Sequence, residues 1–487
     1  MSRTRTVIRG GALSGASVFF SMLAMLAVGK MFTNALDAAG VALLTLALLW
    51  ADFFNLAANA GLSTTLPKLV GAAEPGEQER LSGACLSFQT MTALLLGLFV
   101  LAAIPLLACA GAWFGAEKHP FIAMLPGFLA LLPPLFITGV LRDAAMAALA
   151  GFNRYGQRAA GIVVSSCMQV LLVGLVIGIA GKSVTGIALA MAASYALAVI
   201  WLMAALPRGG RWRWQAPVAW RCLKFSVPLY ANSLLTFAFQ RFDTVVLLAL
   251  LHSPGAVALY EVAKRVPTLL SRALNALLVP FLPAIAALTA QGERDEAARF
   301  LQRTLLITGF LGYLAVLMLV MLQEPLIILL FNPEYLAITP VFGLLAATIA
   351  LLVQAGLLGQ TLVALGRPSQ VTYVNIFSAI FNIAANILLI PSIGIVGAGI
   401  AAALTAALSF AAQLACVMKQ KLPLQLRQCF WPHLLLLTAA LGLLATGNAL
   451  WARLAAVVLF VLCSILTRVV RISDLRTLFS AFRPVEK

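Results

Sequence analysis

Apolar runs of about 20 residues follow one another along almost the whole chain, each long enough to cross a hydrocarbon core roughly 30 Å thick. They fall near 11–31, 38–62, 83–113, 120–150, 159–180, 184–206, 225–251, 255–289, 301–323, 336–364, 369–391, 394–417, 431–448 and 450–470. Inside a bilayer the backbone has no water to bond, so a spanning chain must be helical or form a closed barrel. Barrel strands read as short alternating segments, whereas these runs are continuous and of helix length. The expected fold is an all-α polytopic membrane protein with fourteen transmembrane helices. Only 10% of the residues are charged, against about 25% in soluble domains.

The net charge of +17 raises the question of nucleic acid, and its distribution answers it. With the N-terminus on the cytoplasmic side, 24 of the 33 basic residues fall in cytoplasmic segments. Lys30, Lys118, Lys182 and Arg453 fall on the opposite side. That asymmetry is the positive-inside pattern, so the basic character is a topology signal and no nucleic-acid partner is expected. Both termini are expected in the cytoplasm. Arg3, Arg5 and Arg9 before an apolar run also look like a signal peptide. The first span has a repeat counterpart, however, so it is read as retained. The seven cysteines include no CxxC pair and read as small apolar fillers.

The chain also resembles itself at an offset of about 215 residues. Gly40 pairs with Gly255, Pro67 with Pro283, Gly76 with Gly292, Gly151 with Gly366 and Pro207 with Pro423, while 184–194 falls on 395–405. Six spans per copy keep the same in/out sense, so the copies are expected to be parallel repeats. The expected organisation is a six-helix lobe over 1–206 and a basic cytoplasmic linker over 207–224. A second six-helix lobe over 225–418 is followed by two additional helices and a tail over 419–487.

A charge at bilayer depth costs roughly 2.5–3.5 kcal/mol on insertion scales, so it normally faces a partner or water. Here such charges are Asp52, Arg142, Asp143, Arg241, Asp243, Glu261, Lys264, Arg265 and Arg272, with Lys30 near a span end. Helical spacing places Asp52, Asn55, Asn59 and Ser63 on one face, and Asn232, Thr236, Gln240 and Asp243 on another. Glu261, Lys264, Arg265, Thr268, Arg272 and Asn275 form a third stripe, and Asn375, Asn382 and Asn386 line the eleventh span. Ser14, Ser17 and Ser21 do so on the first. The first two spans of each repeat are therefore expected to wall a polar cavity, with Arg241 flanking its stripe. Pairing is the competing reading: Arg142 near Asp143, or Asp243 with Lys264 or Arg265, would be structural ties. Six positives against four negatives leave two cations over, and an unpaired buried charge is expensive. A phosphate-bearing substrate would satisfy them.

"KFSVPLYANSLLTFAFQRFDTVVL" (224–247) runs into "GAVALYEVAKRVPTLLSRALNALLVPFLPAIAAL" (255–288). Together they resemble the polysaccharide-transport branch of the multidrug/oligosaccharidyl-lipid/polysaccharide (MOP) exporter superfamily. Gly255, Tyr260, Ala263, Arg265 and Pro283 match its pattern, and "LIILLFNPEY" (326–335), "VALGRP" (363–368) and "NAGLSTTLPKLVG" (59–71) look like further recurring segments. The resemblance implies a flippase for undecaprenyl-pyrophosphate-linked oligosaccharide, serving O-antigen, capsule or exopolysaccharide synthesis by alternating access. It also implies bilayer lipid as a partner, and a glycan polymerase and glycosyltransferases in the same pathway. By analogy with lipid II flippases, the last two spans would hold the polyprenyl tail.

On this reading Arg241, Lys264, Arg265 and Arg272 hold the head group. Asp52, Asn55, Asn59, Gln240 and Asn382 bond the sugars, and Asp243, Glu261 or Asp52 couple a proton or Na⁺. No other cofactor and no metal are expected. A cation-coupled multidrug exporter would call for an acidic or apolar cavity, and a lipid II flippase for arginines early in its first span, where residues 11–29 carry no charge. A membrane polymerase or ligase would need a large catalytic outer loop. The outer loops are short, the longest near 324–335, and His119, His252 and His433 are scattered. No Walker A, HExxH or GxSxG motif occurs, so no enzyme is expected.

Overall fold

The computed structural model describes residues 3–113, 120–181, 183–251, 253–278, 281–420, 422–423 and 450–466. Among these residues there is no strand. The helices are α1 (Arg3–Ala35), α2 (Ala38–Asn59), α3 (Leu62–Ala72), α4 (Pro75–Trp113), α5 (Pro120–Gly151), α6 (Tyr155–Ala180) and α7 (Val184–Ala205). Then come α8 (Ala216–Leu251), α9 (Pro254–Leu277), α10 (Phe281–Ala290), α11 (Arg294–Met321), α12 (Gln323–Leu330), α13 (Thr339–Ala364), α14 (Pro368–Lys419) and α15 (Leu450–Leu466). Nine helices among the described residues are long and apolar enough to cross a membrane. The expected span at 431–448 lies outside the described residues, and the described part of every other expected span falls on one helix or, at 255–289, on two.

The chain divides into two compact units, Met1–Phe242 and Asp243–Lys487, with the boundary inside α8. The same devices recur in both. Asp37 caps α2 by accepting the Gly40 N–H at 2.9 Å, and Ser253 caps α9 by accepting the Ala256 N–H at 3.3 Å. Each capped helix is then interrupted. α2 gives way to α3 through Ala60 and Gly61, both left-handed, and α9 ends at Leu277, capped by Leu278, before α10 begins at Phe281. The expected span 38–62 is therefore α2 with its closing turn, and the expected span 255–289 is two helices.

The short helices are core elements. Leu62, Leu66 and Val70 of α3 are buried against Leu86 of α4, Ala148 of α5 and Leu202 of α7. In the second unit Phe281 and Ile285 of α10 are buried with Leu301 of α11, Leu358 of α13 and Phe410 of α14. Lipid tails are as apolar as leucine, so close packing rather than expulsion from water holds such helices together. At Gly161 a β-carbon would lie 2.3 Å from Leu202, and at Gly151 one would lie 2.6 Å from Val70.

α14 has 52 residues, about 78 Å at 1.5 Å per residue, too long for one crossing. It breaks at Ile393 and Gly394, where Gly394 has φ 60° and ψ −138°. Gly181, between α6 and α7, has φ 73° and ψ −153°. Only glycine enters this region without strain, so the repeat is visible in backbone geometry as well as in sequence. One sequence equivalence shifts. The turn closing α13 has Gly366 left-handed and Arg367 N–H donating to Leu362 O at 2.8 Å. The matching closure of α5 uses Asn153, with Arg154 N–H donating to Leu149 O at 2.9 Å. Gly151 is a packing glycine instead. The stretch expected as the longest outer loop, 324–335, is largely α12 and a 3₁₀ turn over Pro333–Ile338.

Candidate functional sites

In the first unit, Asn55, Asn59 and Ser63 of the stripe form one hydrogen-bonded ladder. Ser63 donates to Asn59 Oδ1 at 2.6 Å, so the ladder crosses the α2–α3 break. Asn59 donates to Asn55 Oδ1, and Asn55 donates to Asp143 Oδ2 of α5 at 3.0 Å. Gln89 of α4, fully buried, donates to Asn59 Oδ1 at 2.7 Å. Gly139 leaves room for this, since a β-carbon there would stand 3.2 Å from the Asn55 amide nitrogen. Asp143 also holds Arg142 at 2.9 Å, and the Arg142 guanidinium lies 4.1 Å from the centre of the Tyr195 ring.

This ladder opens on a cleft of about 270 Å³ lined by Asp52, Asn55, Leu56, Asp143, Phe237 and Arg241. Arg241 of α8 bridges to Asp52 at 3.2 Å, and the two side chains are 33% and 57% exposed. Phe237 packs on Phe53 with ring centres 5.7 Å apart. Each carboxylate on the cleft wall has a guanidinium partner, so the surface is rich in donors and acceptors and close to neutral. The side chains of Gln240, Asn232 and Thr236, assigned to this face by helical spacing, lie outside the described residues, as does that of Ser14.

The second unit carries a tighter cluster. Asp243 accepts from Lys264 Nζ at 3.0 and 3.1 Å, from the Tyr260 hydroxyl at 2.7 Å and from the Thr244 N–H at 2.8 Å. Glu261 accepts from the Thr244 hydroxyl and stands 3.7 Å from Lys264. The side chains of Asp243, Glu261 and Lys264 are only 11%, 9% and 18% exposed. Of the two partners open to Asp243, the structure selects Lys264. Arg265, the next residue, points about 100° away around the helix and is half-buried, while Arg272 and Asn275 are exposed. Asn382 is buried and donates to Thr405 Oγ1 at 3.1 Å while accepting from Asn386 at 3.0 Å. Its amide is committed inside α14.

The residue-level reading is thus redistributed. Asp52, Asn55, Asn59 and Arg241 come together in the first unit, with Asn59 one layer below the cleft. Lys264 joins Asp243 and Glu261 in the second unit, tied to carboxylates rather than waiting for an anion. Gln89, Asp143, Phe237, Tyr195, Thr244 and Tyr260 join these clusters without having been assigned to them. Gln89 and Tyr260 do sit at membrane depth, a signal that a count of formal charges passes over.

With nine helices of membrane-crossing length among the described residues, this is a polytopic membrane protein, and its fold is similar to those of solved flippases and transporters. It is similar to the lipid II flippase MurJ in an inward-closed conformation (TM-score 0.69, 13% identity, covering 93% of this chain and 96% of that one). It is also similar to an inward-facing multidrug resistance MATE family transporter of the MOP superfamily (TM-score 0.64, 16% identity, 82% and 95%). A third likeness is a MOP superfamily transporter from Pyrococcus furiosus (TM-score 0.57, 16% identity, 85% and 96%). The family model for polysaccharide biosynthesis protein matches residues 40–340, and the chain belongs to that family. A probable low-salt glycan biosynthesis flippase of Haloferax volcanii is 23% identical over 171 residues, spanning 35% of this chain and 36% of that protein. The resemblance to the polysaccharide-transport branch of the superfamily therefore stands.

Proposed function

We propose that the protein translocates an undecaprenyl-pyrophosphate-linked oligosaccharide across a bacterial inner membrane by alternating access, for O-antigen, capsule or exopolysaccharide synthesis. The family supports the class. The observation that carries the substrate reading is the first-unit cleft, where acceptors (Asp52, Asp143), donors (Asn55, Arg241) and an aromatic ring (Phe237) converge among apolar helices. Hydroxyl-rich sugars need that mixture of donors and acceptors, and near-neutrality suits the glycan better than its pyrophosphate. The pyrophosphate falls to Arg265 and Arg272, the two arginines of α9, whose guanidinium groups can bond phosphate oxygens in pairs. Glu261 and Asp243 both stand beside the Lys264 ammonium, an arrangement able to exchange a proton or Na⁺ during the cycle. Glycosyltransferases would supply the substrate, and a polymerase would receive it on the far side. Both termini would lie in the cytoplasm.

The multidrug-exporter alternative draws on the two cleft carboxylates, which a cationic drug would seek. Arg241 and Arg142 already occupy them, which weighs against it. A lipid II flippase shares the lipid-pyrophosphate chemistry and differs in the glycan.

The test uses the full chain in proteoliposomes with an undecaprenyl-pyrophosphate oligosaccharide, following sugar exposure to an impermeant oxidant. The Arg265→Ala/Arg272→Ala variant should slow translocation at least tenfold while eluting as a folded protein. Full activity there would overturn the pyrophosphate assignment. Equal or faster transport of lipid II, or of a cationic dye only, would overturn the glycan reading. Neighbouring genes for glycosyltransferases and a polymerase would support the pathway.

A further inference from the structure

Between α7 and α8 the chain runs "PRGGRWRWQAPVAW" (207–220), and its three tryptophans face outward. Trp212, Trp214 and Trp220 are 51%, 52% and 59% exposed, an unusual display for the largest apolar side chain. Trp212 is held in place, its indole N–H donating to Thr90 Oγ1 of α4 at 2.8 Å. The segment is docked as well, with Ser82 Oγ donating to Gly210 O at 2.8 Å and Arg213 N–H to Gly83 O at 3.2 Å. At Gly83 a β-carbon would lie 2.5 Å from Arg211 O, so the linker lies flush on α4.

Two ammonium groups sit beside this aromatic row. Lys224 Nζ stands 5.7 Å from the centre of the Trp220 ring, and Lys68 Nζ of α3 stands 5.5 Å from that of Phe225. Both rings are exposed, so each lysine presents its charge outward over an apolar platform. Two acids border this surface, Glu77 paired with Arg221 at 2.5 Å and Glu79 against Gly209, and neither is shown paired with Lys68, Lys224 or Arg213. Arg208 and Arg213 add two further exposed cations.

We infer that this surface is a binding site for anionic phospholipid head groups in the leaflet where the linker lies. The tryptophan rings sit at the depth of the glycerol backbone, and Lys68, Lys224 and Arg213 meet the phosphates. Aromatic residues with basic neighbours are what a charged lipid surface recognises. α7, which leads into the linker, is long and apolar enough to cross a membrane, so lipid, rather than a soluble acidic partner, is what this face meets. The rigid docking of the linker distinguishes it from a loose basic loop. Lipid charge would then bear on a segment that joins α7 to α8. The inference is independent of the glycan reading.

The test places the full-length protein in nanodiscs and compares quenching of tryptophan fluorescence by brominated phosphatidylglycerol and brominated phosphatidylcholine at equal dilution. Wild type should favour the anionic lipid. Lys68→Gln/Lys224→Gln should lose that preference by about fivefold for each lysine removed. Lys68→Arg/Lys224→Arg should keep it, as should Arg299→Gln, which removes a surface cation on α11. Trp212→Phe/Trp214→Phe/Trp220→Phe should abolish the differential signal. Equal quenching by the two lipids in wild type would overturn the site. So would an equal loss in Arg299→Gln, which would mean diffuse charge, or displacement by excess farnesyl pyrophosphate, which would make it a substrate site. Elution and helicity of each variant report folding. If the glutamine pair misfolds, the single lysine variants carry the same comparison.

Discussion

The two charged clusters are built from the same chemistry and sit in opposite surroundings. In the first unit, Asp52 and Arg241 meet at the edge of an open cleft at 57% and 33% exposure. In the second, Asp243, Glu261 and Lys264 are closed in to 18% exposure or less, with Tyr260 and Thr244 using the remaining acceptor sites. A wet pair gains little from its mutual attraction and can release a partner to a ligand. A buried pair is held because either charge alone would be stranded. Charge at bilayer depth is therefore not one signal but two, and exposure separates them.

That contrast is broken most sharply at Lys264. Lys264→Ala leaves two buried carboxylates facing one another and should cost about 3–5 kcal/mol, a large part of a typical domain's stability. Thermal unfolding in detergent should show a sharp drop, and Asp243→Asn in the same chain should recover much of it. A stable, inactive Lys264→Ala would instead return this lysine to the anion-binding role expected from sequence. The ladder behind the cleft is intermediate. Asn59→Leu removes the shared partner of Ser63, Gln89 and Asn55 and should cost about 1–3 kcal/mol per stranded buried group. An unfolding midpoint equal to wild type would show that the ladder does not hold α3 against α4. The smallest stability effect belongs to the exposed pair: Asp52→Asn or Arg241→Gln should change stability by no more than ~1 kcal/mol. Both should nonetheless slow glycan translocation. A large loss of stability in either would make the cleft pair structural, and the distinction between the two clusters would collapse.

Much of this was legible in the chain itself. The stripe Asp52, Asn55, Asn59, Ser63 follows from helical period, and the ladder uses its last three side chains in that order. Ala60 and Gly61 do not interrupt it, because α3 resumes with Ser63 within reach of Asn59. The repeat was legible from its glycines and prolines, since left-handed turns and helix starts admit few residue types. Gly394 and Gly181 carry one backbone geometry between paired helices for that reason. The equivalence of Gly151 with Gly366 misled because one glycine serves packing and the other a turn. Residue identity does not distinguish those uses.

Local rules thus determined that the chain is helical, where most of its long apolar helices lie, which faces carry polar groups and that its plan occurs twice. These depend on residues within a few turns of each other, and the bilayer enforces them by leaving the backbone no other way to bond. Tertiary structure alone decided which charges neutralise one another and which stay open. Asn55 reaches Asp143, Arg142 reaches Tyr195 and Gln89 reaches Asn59 across helices. Such meetings are set by how helices pack, and a linear period carries no record of distance between them.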